Sequence, residues 1–300
     1  MDILKISNIS KSYGSNKVID NMSFSVPENS IFGFIGKNGA GKTTTMKMIL
    51  GLLKIDSGDI FVDGEKVVFG ENKTNKHIGY LPDVPEFYGF MTSLEYLKLC
   101  GKITGMNDKD IINKSNELIE LVGLKNINKK IKSFSRGMKQ RLGIAQALLN
   151  SPKLLVCDEP TSALDPIGRK DVLDILYSVK EHTTVLFSTH VLSDVERISD
   201  HIVFLNKGKI ALNGTLEELK SIKKGEKIEI EFLNSNEAKL FSQIYVDVNK
   251  ISNTKLIISN KNENEMLEIM KLLYQNNISI QSLEKLEPTL EDLFLEVISK

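Results

Sequence analysis

A short apolar segment that runs directly into a glycine-rich string constrains this chain more than any other feature. Residues 31–35 have the composition of a buried strand, the string G-K-N-G-A-G-K-T follows at residues 36–43, and Met46, Ile49 and Leu50 then recur at helical spacing. A strand, a glycine loop and a helix in this order form a cradle in which backbone N–H groups and the positive end of the helix dipole face an anion. The pattern predicts a site for the phosphates of a nucleotide.

The string matches G-x-x-x-x-G-K-T in full, so individual residues have expected roles. Lys42 is expected to reach the β- and γ-phosphates, and Thr43 to offer its hydroxyl to Mg²⁺. The residues of this segment expected to bind the nucleotide are Gly36, Asn38, Gly39, Ala40, Gly41, Lys42, Thr43 and Thr44.

A second apolar run, at residues 154–157, ends in two acids, Asp158 and Glu159. Asp158 is expected to hold Mg²⁺ through water, and Glu159 to act as general base on an attacking water. Alone this string is a weak signal, because strands often end in acids on a solvated rim. Together with the phosphate loop it indicates a nucleoside triphosphatase that uses Mg²⁺.

Composition excludes several other classes. The 300 residues carry 39 Lys plus Arg and 39 Asp plus Glu, so there is no cationic surplus of the kind a broadly basic nucleic-acid binder needs.

No stretch approaches the roughly 20 consecutive apolar residues of a membrane-spanning helix. The N-terminus lacks the apolar core of a secretory signal, which favours the cytoplasm. Cys157, within an apolar run, is expected to be a buried thiol rather than half of a disulfide.

The order of elements predicts two domains. Paired strands are expected before residue 28, helices at about residues 87–150, and strands alternating with helices from there to about residue 190, which indicates a mostly parallel, doubly wound sheet. Thr92 and Glu95 form a capping-box pattern, and Ser135 an N-cap pattern. A polar linker begins at residue 220, so we expect one domain at residues 1–220 and a small α+β domain at residues 221–300, ending in a helix over T-L-E-D-L-F-L-E-V.

Further motifs stand in a fixed order around the phosphate loop. Tyr13 lies in K-S-Y-G, Phe134 opens F-S-R-G-M, Asp165 closes P-T-S-A-L-D immediately after Glu159, and His190 closes S-T-H at the end of a predicted strand. In this order and spacing the first 220 or so residues resemble the ATP-binding subunit of an ABC (ATP-binding cassette) transporter. The resemblance implies a P-loop ATPase cassette with an antiparallel β subdomain and a helical subdomain, followed here by the small C-terminal domain.

The resemblance also implies roles for these residues. Tyr13 would stack on adenine, and Ser135 and Gly137 would contact the γ-phosphate of ATP held by a second ATP-binding subunit. Asp165 would belong to the D-loop at that interface, and His190 would contact the γ-phosphate and orient the water near Glu159. From the residues alone, Tyr13 could equally be a strand residue packed on the core, Ser135 only a helix cap, and His190 an ordinary surface histidine.

Three positions depart from the family pattern. Asp83 stands where the family has the glutamine of its Q-loop, so it could accept a bond from metal-bound water; alternatively it is only a loop acid, and Glu86 or nothing replaces the glutamine. Arg136 and Met138 replace a glycine and the glutamine of the signature sequence. Arg136 could add a charge to the phosphate contact or simply point to solvent.

S-R-G-M-K-Q-R-L, the acid at residue 83 and the tail P-T-L-E-D-L-F-L-E together resemble one branch of the family. That branch comprises bacterial subunits that power ABC-2 type exporters of drugs, bacitracin and lantibiotics. It implies separate transmembrane permease subunits, a location on the cytoplasmic face of the membrane, a role in antibiotic resistance, and pairing of two cassettes, as a homodimer of this chain or with a different one. The alternatives are a soluble cassette ATPase acting on ribosomes or DNA, and a regulatory sensor cassette.

Overall fold

A computed structural model describes residues 1–71, 73–125, 128–222, 227–245, 248–259, 264–286, 290–291 and 293–294. The chain divides into two compact units, Met1–Leu216 and Glu217–Lys300, whereas the sequence analysis placed the boundary at residue 220. No helix among the described residues has both the length and the apolar character to cross a bilayer.

The first unit contains two sheets and a helical region. Its strands are β1 (Asp2–Tyr13), β2 (Asn16–Pro27), β3 (Ile31–Gly36), β4 (Ser57–Val62), β5 (Glu65–Lys66), β6 (Ile78–Leu81), β7 (Leu154–Cys157), β8 (Thr184–Thr189), β9 (His201–Asn206) and β10 (Lys209–Thr215). Its helices are α1 (Lys42–Ile49), α2 (Ser93–Ile103), α3 (Asp108–Leu121), α4 (Arg136–Leu148), α5 (Pro166–Ser178) and α6 (Leu192–Ile198), and α7 (Leu216–Ile222) begins at its last residue.

A six-stranded sheet with the order β10-β9-β3-β8-β7-β6 positions the site. β9, β3, β8, β7 and β6 are parallel, and only β10 is antiparallel to its neighbour, which confirms the predicted α/β fold. Every residue of β3, β7 and β8 is buried, which explains why these strands read as continuous apolar runs. Because the three strands are adjacent and parallel, the segments that follow them lie along the same edge of the sheet.

A second, antiparallel sheet of the order β2-β1-β4-β5 covers part of the first. Its contact with the central sheet includes Phe24, which stacks on Phe32 and Phe34 with ring centroids 5.5 Å apart in both pairs. β1 and β2 were predicted from the sequence, whereas β4 and β5 were not.

The helical region confirms the predicted caps. The Thr92 hydroxyl accepts a hydrogen bond from the Glu95 N–H, and the Glu95 carboxylate accepts one from the Thr92 N–H. The backbone bond from Thr92 and the Lys130 ammonium lower the pKa of Glu95 to about 2. Ser135 caps α4, as predicted. The next helix, α5, begins at Pro166 because Asp165 caps it.

Cys157 ends β7 as a buried, unpaired thiol, as expected, and burial raises its pKa.

The second unit is a small antiparallel sheet with helices. Its elements are β11 (Lys227–Phe232), α8 (Ser235–Ile244), β12 (Val248–Lys250), β13 (Lys255–Ser259), α9 (Glu265–Gln275) and β14 (Ile280–Leu286), with the strand order β12-β13-β11-β14. In β11, residues alternate strictly between buried and half-buried, as a sheet with one covered face requires. The core includes Ile230, Phe241 and Ile269. The predicted terminal helix over residues 289–297 falls largely outside the described residues.

Candidate active site

The phosphate loop joins the end of β3 to the start of α1. Gly41 is the N-cap of α1 with φ +109°, and a Cβ there would overlap Ile19 Cδ1, so only glycine fits. Gly39 has φ +81°, and a Cβ on it would meet nothing within 4 Å, so its outer side is open. The loop therefore presents bare backbone to a cleft, at the N-terminus of a helix.

Lys42 bends back over this loop. Its side chain is only 6% exposed, and its ammonium group donates to the Gly36 carbonyl at 2.6 Å. The same ammonium lies 3.1 Å from Glu159 Oε1. The buried Lys42 ammonium is therefore held beside the loop by a backbone carbonyl and a carboxylate.

The acids that follow β7 are fixed by a serine at the end of the neighbouring β8. Asp158 is 3% exposed, and its Oδ1 accepts from the Ser188 hydroxyl at 2.7 Å. The Glu159 N–H donates to the same hydroxyl oxygen at 3.0 Å. Glu159 has φ +49°, a left-handed conformation that a glutamate adopts at a cost and that the surrounding bonds must hold. Ser188 thus fixes the Asp158 carboxylate and the backbone of Glu159.

Glu159 stands between a lysine and a histidine. Its Oε2 lies 2.8 Å from His190 Nδ1, and its Oε1 faces Lys42 without a hydrogen bond of good geometry. His190 follows the end of β8 and is 47% exposed, so the ring connects the carboxylate to solvent. Because Glu159 lines the phosphate cleft, its carboxylate can accept a proton from a bound water once Lys42 turns away from Oε1.

A cleft of about 480 Å³ collects much of the predicted site. The residues that line it are Val18, Asn38, Gly39, Gly41, Lys42, Thr43, Thr44, Asp83, Asp158 and Glu159. The sequence analysis did not include Val18, which enters from β2 of the other sheet. Gly36 and Ala40 do not line the cleft: Gly36 ends β3 and offers its carbonyl to Lys42, and the Ala40 side chain is buried.

The remaining predicted residues lie outside the lining of this cleft. Tyr13 ends β1 and is 51% exposed, with the Lys11 ammonium 5.6 Å from its ring centroid, so it is a surface ring rather than a core residue. Ser135 is exposed, and its hydroxyl accepts from the Met138 N–H. Asp165 is exposed, and its carboxylate accepts from the Gly168 N–H.

A buried acid that sequence reasoning missed ties the segment after Glu159 to the segment after His190. Asp194, in α6, is 2% exposed and accepts from the Thr161 hydroxyl at 2.6 Å, with Arg169 Nε 3.8 Å from its other oxygen. Burial raises the pKa of Asp194, and the Thr161 hydroxyl and the Arg169 charge oppose that shift. Its only sequence signal is an acid four residues after a histidine, which predicts nothing by itself.

The cleft suits a magnesium nucleotide. No group of three or more His, Cys, Asp or Glu side chains that could hold a metal occurs among the described residues. A hydroxyl, Thr43, and a carboxylate, Asp158, nevertheless face the same cleft, and Asp83 Oδ1 is shielded there without a hydrogen-bond partner. These are oxygen donors of the kind Mg²⁺ takes when nucleotide phosphates supply further ligands.

The sheet order, the glycine loop at a helix N-terminus and the acids on the adjacent strand define a P-loop nucleoside triphosphatase. A family model described as "ABC transporter" matches residues 19–162, and one described as "ATP-binding protein DrrA1-3-like, C-terminal domain" matches residues 214–298.

Individual relatives agree with these matches. The uncharacterised ABC transporter ATP-binding protein YxlF of Bacillus subtilis is 38% identical over 99% of both chains, and the bacitracin transport ATP-binding protein BcrA of Bacillus licheniformis is 36% identical over 99% of this chain and 97% of its own. A solved structure described as the ATP-binding subunit of an ABC transporter matches 73% of this chain and 92% of its own with a TM-score of 0.66 and 30% identity. The chain belongs to the ATP-binding subunits of ABC transporters, which hydrolyse ATP to power transport.

Proposed function

We propose that this chain powers the export of a drug, an antimicrobial peptide or a lipid-like compound through separate ABC-2 type membrane subunits, on the cytoplasmic face of the membrane. The observation that carries the ATPase part is the position of Glu159, between Lys42 and His190 at a cleft lined by the phosphate loop. Similarity over nearly the whole chain to a bacitracin transport protein supports the export part.

In the proposed reaction a water attacks the γ-phosphorus, Glu159 takes the proton of that water, and the bond to the leaving ADP oxygen breaks. His190 holds the Glu159 carboxylate through its 2.8 Å contact. Lys42 leaves the Glu159 carboxylate and the Gly36 carbonyl for the β- and γ-phosphates, because the two phosphate groups together carry more negative charge than one carboxylate and a carbonyl. Nucleotide entry therefore frees Glu159 Oε1 for the water.

Mg²⁺ would be held by the Thr43 hydroxyl and, through water, by Asp158 and Asp83. When bound, it would neutralise charge on the transferred phosphoryl group. Ser188, which fixes Asp158 Oδ1 at 2.7 Å, keeps that carboxylate turned toward the cleft.

Pairing of two cassettes is part of the proposal. Ser135 and Gly137 stand at the exposed first turn of α4 and do not line the cleft of their own chain, and the side chain of Tyr13 is open for an adenine ring. A helix N-terminus that presents a hydroxyl suits a γ-phosphate. A second copy of this chain would bring the γ-phosphate of its own bound ATP to this helix N-terminus. Asp165 would lie at the same interface between the two copies.

Affinity purification from detergent-solubilised membranes of the native host tests the transport role. A multi-span membrane protein in near-equal amount is the expected result. Recovery with ribosomes or DNA and without a membrane protein would replace export with a soluble role and leave the ATPase chemistry intact.

Light scattering with ATP and Mg²⁺ tests the pairing. The Glu159→Gln variant, which binds ATP without hydrolysing it, is expected to form a dimer, whereas Glu159→Gln combined with Ser135→Arg is expected to remain monomeric. A monomer in both variants would contradict the homodimer and favour a second, different cassette.

A further inference from the structure

Two of the three residues that depart from the family pattern, Asp83 and Arg136, lie opposite each other. Arg136, in the first turn of α4, has Nη2 3.5 Å from Asp83 Oδ1, in the segment that follows β6. This separation is an ion pair without a hydrogen bond, since good N–H···O bonds measure 2.7–3.2 Å. The Arg136 guanidinium therefore faces the Asp83 carboxylate rather than solvent alone, but it donates no good hydrogen bond to that carboxylate.

The carboxylate of Asp83 is shared between two cavities. It lines the phosphate cleft with Lys42 and Thr43, and it also lines a neighbouring groove of about 470 Å³ with Arg136 and Gln140. Asp83 Oδ1 is shielded from solvent and has no hydrogen-bond partner. A shielded carboxylate oxygen without a donor is costly unless a ligand supplies one.

Close packing between α4 and the segment after β6 holds Arg136 and Asp83 near each other. Asp83 stands in L-P-D-V-P, where Pro82 and Pro85 restrict the backbone. A Cβ on Gly143, in α4, would meet Leu81 Cδ1 at 2.5 Å and Pro85 Cβ at 3.3 Å, so helix and segment are in close contact. Arg136 lies two turns before Gly143 on the same face of α4, which places the guanidinium beside Asp83.

We infer that Arg136 is a positioning residue that holds the Asp83 carboxylate toward the phosphate cleft, so that Asp83 Oδ1 accepts from a water on the Mg²⁺ of a bound nucleotide. The inference rests on the proposed magnesium-nucleotide site. It answers the two alternatives left by the sequence, because the arginine acts through the aspartate rather than on phosphate or solvent. At 3.5 Å, Arg136 Nη2 does not itself donate a hydrogen bond to Asp83 Oδ1.

A double-mutant cycle on the full chain tests this inference. Arg136→Gln, Asp83→Asn and the double variant are compared with wild type by calorimetric titration of a non-hydrolysable ATP analogue, with Mg²⁺ and with EDTA. Arg136→Gln is expected to weaken binding about fivefold with Mg²⁺ and to leave binding in EDTA unchanged. In the Asp83→Asn background the same substitution is expected to have no further effect.

Two further variants separate positioning from charge. Arg136→Lys keeps a cation and is expected to restore most of the Mg²⁺-dependent affinity. Lys132→Gln removes a cation from the same groove and is expected to give additive effects with Asp83→Asn.

Additive effects of Arg136→Gln and Asp83→Asn, or tighter Mg²⁺-dependent binding in Arg136→Gln, would overturn the inference, the second because it would mean that the arginine only repels the metal. Absence of Mg²⁺-dependent binding in wild type would instead overturn the proposed site itself.

Discussion

The two units of this chain use polar residues in opposite ways. In the first unit, buried polar side chains gather where β3, β7 and β8 end, among them Lys42, Asp158 and Ser188. In the described part of the second unit, Glu265 is the one buried polar or charged residue, and the charges of Glu229 and Glu231 pair with Lys255 on half-buried positions. Buried polar groups cost free energy unless they are satisfied.

This difference in buried polar residues indicates which unit carries the chemistry. The first unit retains a buried lysine, Lys42, and the acids Asp158 and Glu159, which a purely structural core would not need and which the proposed nucleotide and its metal would use. The second unit has an apolar core under an alternating sheet, which is sufficient for a structural role. We therefore expect substitutions in the first unit to alter chemistry, and matched substitutions in the second to alter stability alone.

The largest expected effect is on turnover. Glu159→Gln removes the proton acceptor and should lower the ATPase rate about 10²- to 10⁴-fold, with ATP binding retained. A phosphate-release assay together with nucleotide titration measures both. Glu231→Gln, a matched change in the second unit, should leave turnover unchanged. Wild-type turnover in Glu159→Gln would remove the role assigned to this residue.

A matched pair of core truncations separates the contribution of the first unit to nucleotide binding from that of the second. Ile35 and Ile230 are both fully buried strand residues, and replacing either with alanine should cost about 2–5 kcal/mol of unfolding free energy. Ile35→Ala should also weaken nucleotide binding, because Ile35 leads into the phosphate loop. Ile230→Ala should raise amide hydrogen exchange in the second unit and leave ATP affinity unchanged. Equal loss of ATP affinity in both variants would break the proposed division of roles.

A smaller effect is expected on nucleotide affinity when the buried Lys42 is replaced. Lys42→Ala eliminates charge-assisted hydrogen bonds to phosphate, worth about 1.5–3 kcal/mol, so ATP should bind about ten- to 150-fold more weakly. Calorimetric titration measures this change. Lys255→Ala in the second unit is the control and should not alter affinity. The assignment of Lys42 fails if the two variants bind ATP equally well.

The smallest expected effect concerns pH. Burial raises the pKa of Asp194, so this group favours the folded state at low pH, and its contribution is lost as pH rises through its folded-state pKa. Asp194→Asn, which can still accept from Thr161, should therefore gain relative to wild type as pH increases, by about 1 kcal/mol or less. Thermal unfolding of both proteins at pH 5 and pH 8 measures the difference. A difference that does not vary with pH would mean that Asp194 does not titrate with folding.

Several elements could be predicted from sequence because their signals are local. Helix caps at Thr92 and Ser135 and the apolar runs of β3, β7 and β8 depend on neighbouring residues only. β6 was not predicted as a strand: it has four residues, and its Gly79, a weak strand former, is required because a Cβ there would overlap the Ala147 carbonyl of α4. That requirement is a tertiary contact, so no local pattern reveals it.

The sequence by itself determined the phosphate loop, the acids that follow β7 and the family, because backbone conformation and charge at these positions follow from residue type and order. The tertiary structure was needed to show that Ser188 fixes the Asp158 carboxylate and the Glu159 backbone, that Val18 reaches the cleft and that Arg136 faces Asp83. These contacts join residues far apart in the chain. Their geometry depends on which strands are neighbours and how closely a helix packs, which no single segment specifies.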